Sequence, residues 1–93
     1  MNKIDGMRIL ITGGTGSLGT ALTRRLLSEH KPRGITIFSR DELKQADMRA
    51  SFNDSRLDFR LGDIRDYQSV AAVISGHDIL FNTAALKRVE VCE

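Results

Sequence analysis

Proline and cysteine each occur once in this 93-residue chain, tryptophan does not occur, and aromatic side chains make up only 5%. A single thiol, Cys92, forms neither a disulfide framework nor a thiolate metal site within the chain, and a free thiol fits a reducing compartment. No apolar run approaches the roughly 20 residues of a membrane-spanning helix. The opening Met1-Asn2-Lys3-Ile4-Asp5-Gly6 lacks a signal peptide's apolar core. A cytoplasmic protein is expected. An excess of one charge is missing too: 14 Lys plus Arg against 12 Asp plus Glu leaves a net charge of +2, with the signs interleaved. That gives no support to a nucleic-acid or membrane partner. Repeats, low-complexity tracts and linkers are also absent, so the chain reads as one small domain, burying roughly 60 to 65% of its unfolded surface.

What is present is a regular alternation of apolar patterns. Met7 to Thr12 is a short β-branched run ending at Gly13-Gly14, which predicts a buried strand. Ser17 to about Ser28 repeats Leu18, Leu22 and Leu26 with Ala21 beside them, the stripe of a helix that stops before Pro32. Ile35 to Phe38 predicts a second strand. A shorter helix follows, its inner face assigned to Leu43, Ala46 and Ala50 and its start to a capping box running from Ser39 to Glu42. Leu57, Phe59 and Leu61 alternate with Asp58 and Arg60, as expected of a half-wet edge strand. Asp66 is placed to cap a third helix carrying Tyr67, Val70, Val73 and Ile74, which closes at Gly76. Asp78 to Thr83 is apolar at its centre, predicting a fourth strand covered on both faces.

The order β-α-β-α-β-α-β with short links specifies the α/β class: a Rossmann-type doubly wound parallel sheet, strand order 3-2-1-4. A buried-type fourth strand with nothing beyond it would expose amides and apolar side chains. Residues 1–93 are therefore expected to be the front part of a truncated domain, with the catalytic and substrate-binding parts absent.

Thr12-Gly13-Gly14-Thr15-Gly16-Ser17-Leu18-Gly19 bridges the first strand and first helix. Gly13 or Gly14 permits the tight turn, Gly16 lets backbone approach a pyrophosphate, and Gly19 lets the helix pack closely. Free amides and the positive end of the helix dipole then meet phosphate charge. The alternative, a glycine-rich turn that binds nothing, is disfavoured because strand, helix and the later position all fall where the dinucleotide motif requires. No Gly-Lys-Ser/Thr closes the loop, which excludes the usual ATP or GTP hydrolase.

Twenty residues beyond Gly19, where an NAD site usually offers a carboxylate, stand Ser39 and Arg40. A carboxylate would repel a 2′-phosphate, whereas Ser39 donates a hydrogen bond and Arg40 pairs with the phosphate and stacks on adenine. NADP is favoured over NAD, with Lys44 as a second cation. The competing view makes Ser39 a mere cap and Arg40 a solvated charge drawn to Asp41 and Glu42. After the third strand, Asp63 is positioned to accept the adenine amino group. After the fourth, the small residues of Asn82-Thr83-Ala84-Ala85 leave room for a cofactor across the switch point. Lys87 offers a cation to the nicotinamide ribose or to an anionic substrate. His30 suits a helix-end dipole contact, and His77 has no ligand-spaced partner, so no metal site and no catalytic residue is assigned.

These residues carry a resemblance. Thr12-Gly13-x-x-Gly16-x-x-Gly19, Asp63 and Asn82-Thr83-Ala84-Ala85 resemble the extended short-chain dehydrogenase/reductase family. Phe38-Ser39-Arg40-Asp41-Glu42-Leu43-Lys44-Gln45, with Ala84-Ala85-Leu86-Lys87, resembles more narrowly the UDP-N-acetylglucosamine 4,6-dehydratases of polysaccharide and flagellin-glycan biosynthesis. The likeness implies that Thr15, Gly16, Ser17 and Leu18 hold the pyrophosphate and that Arg40, Asp41, Glu42, Leu43, Lys44 and Gln45 hold the adenosine phosphate end. It places Asp63 and Ile64 at adenine, and Thr83, Ala84, Ala85 and Lys87 beside the nicotinamide half. Arg88 and Glu90 depart from the residues usual in the family at those positions.

The resemblance further implies a lyase, homo-oligomeric in its full form and acting on the nucleotide sugar UDP-N-acetylglucosamine. Bound NADP takes a hydride from the sugar C4, water leaves across C5 and C6, and the hydride returns to C6. The family's Ser/Thr-Asp-Lys and Tyr-x-x-x-Lys motifs do not occur in these residues. Two other readings are a non-catalytic NADP-binding sensor and a UDP-sugar 4-epimerase fragment.

Overall fold

A computed structural model describes residues 4–83. Seven elements alternate along them: β1 (Arg8–Thr12), α1 (Ser17–Glu29), β2 (Gly34–Ser39), α2 (Glu42–Phe52), β3 (Leu57–Leu61), α3 (Tyr67–Ile74) and β4 (Ile79–Asn82). The sheet has the order β3-β2-β1-β4 with every neighbouring pair parallel, as the alternation of elements predicts. Each strand boundary falls within two residues of its expected position.

Successive β1 residues point to opposite faces, so the sheet splits its apolar side chains between two clusters. Ile9 and Ile11 join Ile35, Ile37, Leu26 of α1 and Met48 of α2 on one face. Leu10 and Phe38 meet Val73 of α3 on the other. Ile9, Leu10, Ile11 and Ile37 are wholly buried, each worth about 1.5–3 kcal/mol in transfer terms.

Both inner helix faces differ from the periodic reading. In α1 the buried positions are Gly19, Thr23 and Leu26, whereas Leu18 is 47% exposed and Ala21 lies outside. Thr23 is buried without penalty because its hydroxyl donates to the Gly19 carbonyl at 2.8 Å. In α2 the buried pair is Gln45 and Met48, and Leu43 is 73% exposed. The Gln45 amide donates to Ser39 Oγ at 3.0 Å and to the Arg60 carbonyl at 2.9 Å. It thereby ties α2 to the ends of β2 and β3.

The α2 start also differs from the Ser39–Glu42 capping box. Asp41 is the N-cap, its carboxylate accepting from Lys44 N–H at 3.0 Å, because the Ser39 hydroxyl is taken by Gln45. Asp66 caps α3 as expected. Tyr67 and Ile74 of α3 are exposed, and β4 is covered on one side only: Ile79 and Phe81 pack on the larger cluster while Leu80 is 48% exposed. Among the described residues β4 pairs with β1 alone, at the sheet's outer edge. No helix among them is long and apolar enough to cross a membrane.

Candidate functional site

Parallel pairing brings the carboxyl ends of β1, β2 and β3 to one rim, and the loops that leave them enclose a two-lobed cleft. Its larger lobe, about 560 Å³, lies between the Gly13–Gly16 loop and the β2–α2 turn, with Ser39, Arg40 and Lys44 in its wall. A smaller lobe, about 220 Å³, lies between Phe38, Arg40 and the loop after β3. Gly13, Ser39 and Arg40 line both lobes, so Arg40 stands at their boundary.

The glycine loop owes its shape to three positions. Gly13 has φ of +71°, a left-handed turn that disfavours any side chain, which resolves the choice between it and Gly14. A Cβ on Gly19 would come within 2.5 Å of the Gly14 Cα, so α1 sits on the loop backbone. Gly16 begins α1 with no side-chain cap, and no acidic residue occupies the first turn. The amino ends of α2 and α3 are instead filled by Asp41 and Asp66. The first-turn amides of α1 therefore retain their capacity for an external acceptor, with the dipole favouring an anion.

Across the cleft, Asp63 is the electrostatic centre. Its Oδ1 accepts from the Arg65 backbone N–H at 2.9 Å and from Arg65 Nε at 3.1 Å, and its Oδ2 accepts from Arg65 Nη2 at 2.9 Å. Arg40 Nη1 lies 3.6 Å from the same Oδ2. The Arg65 guanidinium and backbone amide, with a smaller contribution from Arg40, hold the Asp63 carboxyl down to about 2. Arg40 pairs here with Asp63, while Asp41 is engaged at the α2 cap. Arg40 remains 66% exposed in its side chain.

Of the residues expected at the site, Gly13, Thr15, Gly16, Ser39, Arg40, Asp41, Glu42 and Lys44 line the larger lobe, and Asp63 and Ile64 the smaller. Ser17 and Leu18 lie in the first turn of α1 just behind the loop. Leu43 faces away into solvent, and Gln45 is buried beneath Ser39 rather than facing the cleft. Thr83 is 4% exposed, its hydroxyl 2.7 Å from the Thr12 carbonyl and 3.0 Å from that of Gly13. It pins β4 to the start of the glycine loop. Ala84, Ala85 and Lys87 lie outside the described residues, as do Arg88, Glu90 and Cys92. Sequence reasoning missed Phe38, Gly62 and Arg65 in the smaller lobe. The Asp-x-Arg spacing of Asp63 and Arg65 was the available signal for the last.

Comparison with known proteins bears on this geometry. A family model described as polysaccharide biosynthesis protein matches residues 9–93. A UDP-glucose 4-epimerase of Rickettsia prowazekii is 49% identical over 88 residues, covering 91% of this chain and 26% of its own length. A UDP-N-acetylglucosamine 4,6-dehydratase (inverting) of Campylobacter jejuni is 44% identical over 89 residues, covering 96% of this chain and 27% of its own. The crystal structure of Pen from Bacillus thuringiensis superposes with a TM-score of 0.79 at 32% identity, over 85% of this chain and 24% of that one. A Veillonella parvula short-chain dehydrogenase/reductase solved with NADP shares the fold, with a TM-score of 0.66 at 20% identity over 82% of this chain and 34% of that one. The chain thus spans about a quarter of the length of the curated relatives it matches.

Proposed function

Since this chain belongs to the polysaccharide biosynthesis protein family, with its short-chain dehydrogenase/reductase fold, we propose that it is the NADP-binding amino-terminal part of a nucleotide-sugar 4,6-dehydratase acting on UDP-N-acetylglucosamine. The observation that carries the cofactor assignment is Arg40, an exposed guanidinium lining both lobes where a carboxylate would signal NAD. The residues fit the cofactor in three respects. The glycine loop presents backbone rather than side chain, the amino end of α1 is uncapped, and Arg40 and Lys44 offer cations in the larger lobe beside Asp41, which is engaged at the α2 cap, and Glu42.

NADP would supply the hydride acceptor and donor for sugar oxidation and reduction. The chain's own residues bind and orient. Thr15 to Leu18 hold the pyrophosphate, with amides of the first turn of α1 as donors, Ser39, Arg40 and Lys44 take the 2′-phosphate, and Asp63 and Ile64 border adenine. Thr83, through its two carbonyl contacts, fixes the end of β4 against the loop. No acid or base group of the reaction is assigned to these residues.

Arg40→Ala tests the cofactor reading: NADP affinity falls roughly tenfold to a hundredfold while NAD affinity changes little, as loss of a charge-assisted pair predicts. Equal losses for both cofactors would refute it. The 49% identity to a UDP-glucose 4-epimerase favours a second reading, in which the hydride returns to C4. Incubating the longer protein with UDP-N-acetylglucosamine and identifying the product by NMR separates the two. A 4-keto-6-deoxy sugar supports the dehydratase, and a C4 epimer overturns it.

A further inference from the structure

Arg65 faces the smaller lobe, yet the binding roles above leave it without a task. Its side chain is 68% exposed, so folding alone does not explain why it is spent on Asp63. An ionised carboxylate offers about four lone-pair sites. Arg65 makes four hydrogen bonds to them, from its backbone N–H at 2.9 Å, from Nε to Oδ1 at 3.1 Å and to Oδ2 at 3.3 Å, and from Nη2 at 2.9 Å. Arg40, at 3.6 Å from Oδ2, is left with an ion pair too long to be a hydrogen bond.

From this arrangement we infer that Arg65 is a positioning residue that sets the preference for a 2′-phosphorylated cofactor by engaging both Asp63 oxygens, so that Arg40 keeps only a 3.6 Å ion pair with them and no hydrogen bond. The inference rests on the NADP reading of the cleft. With Arg65 in place, the Asp63 charge is matched locally and the donor fork of Arg40 stays unspent, open to a phosphate. Without it, Arg40 becomes the nearest cation to Asp63. The carboxylate then draws the guanidinium into a direct hydrogen bond and leaves its own charge beside the phosphate lobe. A cofactor without the 2′-phosphate meets neither effect. Discrimination therefore depends on a charge relay of three side chains, Arg65 to Asp63 to Arg40, from the loop after β3 to the turn after β2.

The test is calorimetric titration of the longer enzyme with NADP and with NAD, at one ionic strength, for wild type, Arg65→Gln and the double variant Asp63→Asn/Arg65→Gln. The NADP-to-NAD affinity ratio is expected to fall roughly fivefold to tenfold in Arg65→Gln. It should return to within about twofold of wild type in the double variant, because the unmatched charge is gone. An unchanged ratio in Arg65→Gln overturns the role of Arg65 while leaving the NADP reading intact. A ratio that falls and is not restored overturns it as well, since Arg65 would then act on the phosphate directly. Absence of saturation by either cofactor in wild type brings down the NADP reading and this inference together.

Discussion

At the scale of single residues, backbone clearance and one carboxylate decide what the cleft can hold. Gly19 has no room for a methyl group, because its Cβ would meet Gly14 Cα, C and O at 2.5 to 2.7 Å. Gly19→Ala must push α1 off the loop and is expected to lower stability by about 1–3 kcal/mol in denaturant unfolding, weakening NADP binding with it. Asp63 gives a titration prediction. Its folded pKa of about 2 lies below the ordinary 3.8, so the ionised form is favoured by the fold. The Asp63–Arg65 pair therefore stabilises fully above the ordinary value, and that contribution disappears as pH falls toward 2. NMR of the carboxyl carbon should place the midpoint near 2 in wild type and higher in Arg65→Gln; a wild-type midpoint near 3.8 would contradict the geometry. Part of this scale was legible: the loop after the first strand marked Gly13 or Gly14, the distance from Gly19 marked Arg40 and the end of the third strand marked Asp63, and Gly13, Arg40 and Asp63 line the cleft. Arg65 was not, because a charge beside a turn in sequence looks solvated until the chain folds it back on a carboxylate.

At the scale of elements, the strands were more legible than the helix faces, and the reason is chemical. A strand such as Ile9-Leu10-Ile11 is buried on both sides, so hydrophobicity alone locates it. The helices bury polar residues whose hydrogen bonds are satisfied, and periodicity overlooks those. Thr23 and Gln45 are buried while Leu18 and Leu43 are exposed. The same logic misplaced the α2 cap: Ser39 has the right spacing, but Gln45 claims its hydroxyl and Asp41 takes over. Two substitutions separate the alternatives. Gln45→Ala leaves the Arg60 carbonyl without its partner and is expected to cost about 1–3 kcal/mol. Leu43→Ala should stay within about 0.5 kcal/mol. Chemical denaturation of both variants checks the order, and the reverse order would restore the periodic reading.

At the scale of the whole molecule, the parallel order β3-β2-β1-β4 assembles the site, since it gathers three loops at one rim. The two faces of the sheet are unequally covered. One face carries a buried cluster of six residues, Leu26 of α1 and Met48 of α2 among them, and the other a cluster of three that includes Val73 of α3, where Leu80 and Ile74 stay exposed. That asymmetry is a property of the described residues, in a chain that spans about a quarter of the length of the curated relatives it matches. The class of fold and the position of the cleft were readable from the alternation of patterns, because local strand and crossover rules admit few topologies. The reaction was not readable, because no acid or base motif stands out among these residues.

The most direct measurement is isothermal titration of folded protein containing these residues with NADP and then NAD. The cleft described here predicts saturable binding of both, with NADP the tighter by roughly tenfold or more through Arg40. Equal affinities, or no saturation with either, would contradict it.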